Sequence, residues 1–290
     1  MTPRRDETIP AVHPTPHPSR FDGERPLVLA HRGGAGLRPE NTMASFEHGA
    51  ACGADGFEFD VRLARDGEAV VIHDDTLDRT TDATGPVADL TADQLAQVDA
   101  GAKFRPEDGA PFKGHGFGVP RLRDVLRRFP GLPCVIELKG EDPAVAHAAV
   151  DVARECGALD RICFGGFSDR VVRAARAAGP AVITSAATEE IRWALYRAWL
   201  GLAPRAPQFR GFQVPERYGP TTVVTPRFVR VMRRAGLFVQ VWTVNTVPDL
   251  NRLLGWGVHG VISDVPDLAV RAVREWCEAR GLRTPAPSGK

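Results

Sequence analysis

The sequence predicts an α/β fold, a TIM-type (β/α)8 barrel with a small insertion after the second strand and its hairpin. Three observations lead there. Eight short, almost continuously apolar runs recur along the chain. Amphipathic stretches of helical period separate them. The length, 290 residues, accommodates a barrel of roughly 250 residues with tails to spare. Fully apolar strands alternating with helices imply a parallel sheet covered on its outer face. A doubly wound open sheet is the competing arrangement.

Residues 1–25 carry Pro3, Pro10, Pro14, Pro16 and Pro18 among charged and small residues. They read as a Pro-rich disordered tail. His13 and His17 lie in it without the company that metal binding needs. The barrel is expected over 26–282, followed by a short tail, 283–290. Its eight runs are Leu27–Ala30, Gly56–Val61, Cys134–Leu138, Ile162–Phe167, Ala181–Ser185, Gly211–Val214, Phe238–Thr243 and Gly260–Ser263. Asn41 is the expected N-cap of the first helix, with Met43, Phe46 and Ala50 on its buried face. Leu122, Val125, Leu126 and Phe129 keep the i, i+3, i+4, i+7 spacing of a helix, as do Phe228, Val231, Met232 and Ala235.

One run departs from the alternation. Ala69–Ile72 follows the second strand through Arg65-Asp66-Gly67, and Asp-Gly is a hairpin signal. Parallel neighbours cannot be joined so tightly. Ala69–Ile72 is therefore expected to return antiparallel beside the second strand, carrying His73 to its end. The stretch from about 75 to 120 is too long for an ordinary loop. It reads as an insertion over the strand-end face, a lid, a substrate-selecting loop or decoration, and its place next to His73 favours a role near substrate.

Composition narrows the function. Net charge is +1, which gives no field to recruit nucleic acid. The five cysteines form no C-x-x-C pair and read as reduced core residues. No apolar run is long enough to span a bilayer, and no signal core is evident. A cytoplasmic location is the expectation.

The chemistry sits at strand ends, where α/β folds build active sites. His31-Arg32-Gly33 closes the first run, Glu58-Phe59-Asp60 the second, and His73-Asp74 the hairpin. Glu58 and Asp60 are two apart in a strand and so share a face, about 6.6 Å apart at Cα. Two buried carboxylates need a counterion, and a divalent cation would supply one. Glu137 and Lys139 also share a face, and a plain salt bridge between them is the competing reading. A glycosidase carboxylate pair is the other competing chemistry. Two histidines and an arginine suit phosphate better than sugar, since imidazoles can accept and donate a proton near neutrality. A forked guanidinium suits a phosphate. Glu40 is placed to orient Arg32 or a histidine, although helix-start electrostatics would also explain it. Gly33-Gly34-Ala35-Gly36 lacks the pattern of a nucleotide loop and reads as a sharp turn.

At these residues a resemblance emerges. His31-Arg32-Gly33, Pro39-Glu40-Asn41-Thr42, Glu58-Phe59-Asp60-Val61, His73-Asp74 and Ile136-Glu137-Leu138-Lys139 resemble, in order, the signatures of glycerophosphodiester phosphodiesterases. Val241-Trp242-Thr243-Val244-Asn245 and Ile262-Ser263-Asp264 are similar to the family's late motifs, with Ser263 where many relatives have threonine. The resemblance spans about residues 26 to 280. It implies hydrolysis of glycerophosphodiesters to glycerol 3-phosphate and an alcohol, assisted by magnesium or calcium. It implies His31 and His73 as the acid–base pair and Glu58, Asp60 and Glu137 as metal ligands. It also implies Arg32 and Lys139 on phosphate and Trp242 on the glycerol side, although Trp242 could simply be packed.

Two alternatives stand beside this reading. The Glu189–Leu202 helix carries Ile191, Leu195, Ala198 and Leu202 on one face and Trp193, Tyr196 and Leu200 on the opposite one. The second patch could meet a membrane interface and favour lysophospholipids, as in a lysophospholipase D. It could equally be a homodimer contact or packing under a loop. A non-catalytic phosphodiester-binding barrel is the reading from another class, and intact acid, base and metal positions argue against it.

Overall fold

The protein, described by a computed structural model over residues 20–106 and 112–282, closes its sheet into a barrel. In chain order the elements are β1 (Leu27–His31), α1 (Met43–Ala51), β2 (Gly56–Leu63), β3 (Ala69–Val71), α2 (Ala92–Leu95), α3 (Leu122–Arg128), β4 (Cys134–Leu138), α4 (Ala144–Glu155), β5 (Ile162–Gly165), α5 (Asp169–Ala177), β6 (Ile183–Thr184), α6 (Thr188–Trp199), β7 (Gly211–Pro215), β8 (Arg217–Tyr218), β9 (Thr221–Thr222), α7 (Pro226–Arg234), β10 (Phe238–Trp242), α8 (Val247–Trp256), β11 (Gly260–Ser263) and α9 (Pro266–Glu278). Parallel pairing runs β6-β5-β4-β2-β1-β11-β10-β7, and a bridge from Ser185 to Gly211 joins the two ends. That bridge excludes the open doubly wound sheet.

Alternation along each strand separates two cores. Inward residues Leu29, Val135, Cys163, Phe238 and Ile262 fill the barrel. Outward residues meet the helices: Phe57 and Phe59 pack with Phe46 of α1, at centroid distances of 5.1 and 5.3 Å. The expected eight runs are the eight barrel strands. The residues 20–25 assigned to a disordered tail do not behave as one. Phe21 is fully buried at the barrel floor beside Phe238, and Arg25 pairs with Asp55. An apolar plug closes the barrel interior at the end where β10 begins, and the Pro-rich composition around it hid that signal. The tail residues 1–19, with His13 and His17, lie outside the described residues, as does 283–290.

β3 returns antiparallel to β2, as the Asp-Gly turn requires, with Arg62 opposite Val70. The insertion that follows has its own small core, with Leu77, Val87, Leu95 and Val119 buried. The helix α1 starts one residue later than expected. Thr42, not Asn41, accepts the Ser45 N–H and closes a capping box with Ser45. Ala235 and Leu202, expected on buried faces, are exposed at or beyond the ends of their helices. Cys134, Cys163 and Cys277 are buried free thiols, and Cys52 and Cys156 are half-buried. No helix among the described residues is long and apolar enough to cross a membrane.

Candidate active site

Strand register decides which polar side chains meet. β1 and β2 place His31 level with Glu58, and β2 and β4 place Asp60 level with Glu137. All four point into the barrel mouth. One oxygen from each of Glu58, Asp60 and Glu137 lies within 4.8 Å of the others. Glu58 Oε2 is buried and has no hydrogen-bond partner. An unpaired buried carboxylate oxygen is costly. Three converging carboxylates, one of which carries an orphaned oxygen, fit magnesium or calcium by donor type.

The electrostatics express the same crowding. Burial, with Asp60 and Glu137 alongside, pushes the Glu58 carboxyl well above its ordinary range despite His31. Asp60 goes the other way. Burial alone would raise it, but Lys139 and Arg32 hold it low. Lys139 Nζ is 3.0 Å from Asp60 Oδ1 and 2.6 Å from Glu137 Oε1. The Glu137–Lys139 salt bridge weighed from sequence is thus present, and it coexists with the carboxylate cluster.

His31 Nε2 is 3.6 Å from Glu58 Oε2, while its Nδ1–H donates to Asp264 at 2.5 Å. Burial would lower its pKa, but the Asp264 hydrogen bond and the Glu58 charge more than offset this, and the pKa is raised. His73 arrives on the hairpin, and its Nδ1–H donates to Asp74 at 2.6 Å. The Ile72 N–H donates to the Asp60 carbonyl, which fixes where the hairpin delivers His73. Arg32 Nη1 donates to Glu40 at 2.8 Å, the pairing anticipated for Glu40. Arg32 and Asn41 both hold left-handed backbone, at φ 50° and 57°. Such strain in non-glycine residues persists where surroundings fix it. Here Asn41 donates to Asp60 Oδ2, and the Arg32 N–H donates to the Glu58 carbonyl.

The chain matches the profile of the glycerophosphoryl diester phosphodiesterase family over residues 31–268. The chain belongs to this family. It is 32% identical over 270 residues to a glycerophosphodiester phosphodiesterase of Bacillus subtilis, covering 84% of this chain and 85% of that one. In fold it is similar to the glycerophosphoryl diester phosphodiesterase domain of protein Rv2277c of Mycobacterium tuberculosis. The TM-score there is 0.75 at 23% identity, covering 87% of this chain and 99% of that one. An Oleispira antarctica phosphodiesterase, solved with the product sn-glycerol-3-phosphate, superposes with a TM-score of 0.69 at 26% identity over 86% of this chain and 97% of that one.

This phosphodiesterase keeps every site residue singled out in its sequence at the same end of the barrel. Trp242 also reaches the mouth, edge-to-face with Phe167 at 6.2 Å. Both line a cavity of about 330 Å³ that has Glu58 and Glu137 at its polar end. The walls come from the loop after β5, from α6 and from the loop carrying β8 and β9, and none of the described residues of the insertion lines it. The insertion acts at the site differently, through Arg79. Arg79 donates to Asp74 at 2.6 Å and to both oxygens of Glu40 at 2.8 Å. A continuous chain of hydrogen bonds thus runs His73–Asp74–Arg79–Glu40–Arg32.

Sequence reasoning missed Asp264, Asp74, Arg79 and Asn245 as partners. Asn245 donates to Asp264 Oδ2 at 2.7 Å and accepts the Asp264 N–H at 2.9 Å. The His31–Asp264 contact joins residues 233 positions apart, so only strand order could have revealed it. His48, His147 and His115 stay outside the site, on helix surfaces and on the insertion.

Proposed function

We propose that this phosphodiesterase hydrolyses glycerophosphodiesters to glycerol 3-phosphate and an alcohol, with His31 and His73 as its acid–base pair. The observation that carries the reading is the meeting of His31 Nε2 with the carboxylates of Glu58, Asp60 and Glu137 in one mouth. Each histidine is pinned through Nδ1 by its own aspartate. That clamp leaves Nε2 of each ring for proton transfer. A magnesium or calcium ion held by Glu58, Asp60 and Glu137 would stabilise the negative charge that builds on phosphate oxygens.

The chain's own residues carry the steps. Arg32 and Lys139 orient the phosphate by charge-assisted hydrogen bonds, and Trp242 packs against the glycerol. The glycerol 2-hydroxyl attacks phosphorus, one imidazole takes its proton, and the bond from phosphorus to the leaving oxygen breaks. The other imidazole returns a proton to that oxygen. Water then attacks the cyclic phosphate with the two imidazoles exchanging roles, and the ring opens to restore the 2-hydroxyl. An internal nucleophile so placed is worth an effective molarity of about 10⁵ M or more.

The test is hydrolysis of glycerophosphocholine with magnesium or calcium supplied. His31→Ala and His73→Ala each lower kcat by about 10²–10⁴-fold, and a diester whose 2-hydroxyl is methylated is not cleaved. Turnover of the methylated diester at the normal rate would exclude the cyclic route. Unchanged kcat in both histidine variants would exclude the acid–base assignment.

A further inference from the structure

β2 carries a third charged side chain on the face that bears Glu58 and Asp60. Alternation puts Arg62 on that face, about 6.6 Å beyond Asp60 at Cα. The register that sets Asp60 level with Glu137, continued along the strands, sets Arg62 level with Lys139. The carboxylate tier of the mouth is therefore followed, toward the strand ends, by a cationic tier.

Arg62 differs from the other cations of the mouth. Arg32 touches Glu40 and Asp60, and Lys139 touches Asp60 and Glu137. Arg62 is half-buried and touches no carboxylate among the described residues. Its Nε donates to the His73 carbonyl at 2.8 Å. Its Nη1 and Nη2 find no partner there, and neither is sealed from solvent. Asp75, Asp60, Asp74 and Glu137 attract it from a distance. Of these, Asp60 and Glu137 are already paired with Lys139, Asp74 is paired with Arg79, and Asp75 is exposed to water. The bond at Nε steadies the guanidinium plane and leaves its end-on fork presented. A half-buried cation in this state is poorly compensated, and an anion from outside the chain would complete it.

The barrel decides which part of a substrate reaches that fork. In the closed ring of eight strands, β2 lies four places from β7, the farthest position, and three from β10. The cavity that holds Trp242 is walled by β7 and α6, and Arg62 does not line it. With glycerol against Trp242, the other ester arm of the phosphodiester leaves across the mouth, past His73 and Arg62. The reacting phosphate itself is served by Arg32 and Lys139, which sit on the carboxylates. Arg62 is drawn away from them toward the hairpin by the His73 carbonyl.

We infer that Arg62 is a specificity-determining residue that favours phosphodiesters whose leaving alcohol carries a carboxylate or phosphate of its own. This rests on the placement of glycerol and phosphate proposed above. An anion at the end of the alcohol takes the two free donors as a fork. An uncharged alcohol leaves them empty, and a cationic one meets a like charge.

The experiment uses three diesters of sn-glycerol 3-phosphate that differ only at the far end of the alcohol, which is 3-hydroxypropanoate, propane-1,3-diol or 3-aminopropan-1-ol. Each is assayed with magnesium on wild type, Arg62→Gln and Arg62→Lys. The readout is the ratio of kcat/KM between the anionic and the neutral diester. A charge-assisted hydrogen bond predicts a ratio of about 10 or more in wild type, with the aminopropanol diester slowest. Arg62→Gln brings the ratio near one, and the change falls mainly in KM. Arg62→Lys keeps part of it, because an ammonium retains the charge without the fork. A glutamine amide can still donate to the His73 carbonyl, and any shift of His73 slows all three diesters alike and cancels in the ratio. Calorimetric Kd values for the 2-O-methyl forms of the same diesters give the ratio without turnover. A wild-type ratio near one overturns the inference. So does a ratio that survives in Arg62→Gln, which would place Arg62 on the reacting phosphate or leave it a structural residue. If wild type cleaves none of the three, the acid–base reading falls, and the calorimetric ratio still decides the role of Arg62.

Discussion

Asp264 shows how a single side chain controls the chemistry of another. Its carboxylate fixes the His31 ring through Nδ1 and is itself held by Asn245. Partners of this kind are worth about 10–100-fold in activity. Asp264→Asn should therefore lower kcat by that factor with little change in KM, and the pH profile should shift because the imidazolium loses its counter-charge. Equal loss in KM alone would place Asp264 in binding instead. His259 makes the contrasting case. It is buried and accepts the Val239 N–H at Nδ1, and burial with Arg233 nearby lowers its pKa to about 4. Because the folded value lies below the unfolded one, folding is fully supported above the unfolded pKa and weakens as pH falls toward 4. The loss approaches about 3 kcal/mol. Urea unfolding at pH 7 and pH 4.5 should show most of that loss in wild type and not in His259→Gln. Equal pH dependence in the two would contradict it. The residue roles were unevenly legible. Asn41 reads as a cap because Asn caps helices, yet its side chain is spent on Asp60. Asp264 stands in the late motif Ile262-Ser263-Asp264, yet nothing local ties it to His31, 233 positions away.

Elements carried the clearest sequence signal. Eight apolar runs gave eight strands because a covered parallel sheet leaves no polar face to blur the pattern. The Asp-Gly turn gave the antiparallel hairpin because no other connection of that length exists. What the pattern could not supply was register, and register makes the site. The turn after β1 depends on Gly33, at φ 84°. A Cβ there would strike Ser45 Oγ and come within 2.7 Å of the Phe46 nitrogen. Gly33→Ala combines left-handed strain with overpacking against α1. It should cost roughly 2–4 kcal/mol, measured by denaturant midpoint, and lower activity by displacing His31 and Arg32. A loss below about 0.5 kcal/mol would mean that α1 is not seated on the turn as described. The insertion was legible as a segment, but its part in the site was not. Its described residues reach His73 through Arg79 and Asp74, and none of them lines the cavity.

For the whole molecule, barrel closure is what turns scattered letters into one site. β1, β2, β4, β10 and β11 deliver their inward residues to one mouth, and α6 and the β8–β9 hairpin extend it to the surface. Phe21 at the opposite end was hidden by its Pro-rich surroundings, although it seals the floor on which that mouth depends. The central claim is that three carboxylates hold a divalent ion beside two imidazoles that act on phosphate. Anomalous diffraction from crystals soaked in manganese and glycerol 3-phosphate tests it most directly. The account predicts one strong peak at ~2.0–2.6 Å from oxygens of Glu58, Asp60 and Glu137. Nε2 of both His31 and His73 should face the phosphate. A peak elsewhere, or a phosphate bound away from those two rings, would contradict it.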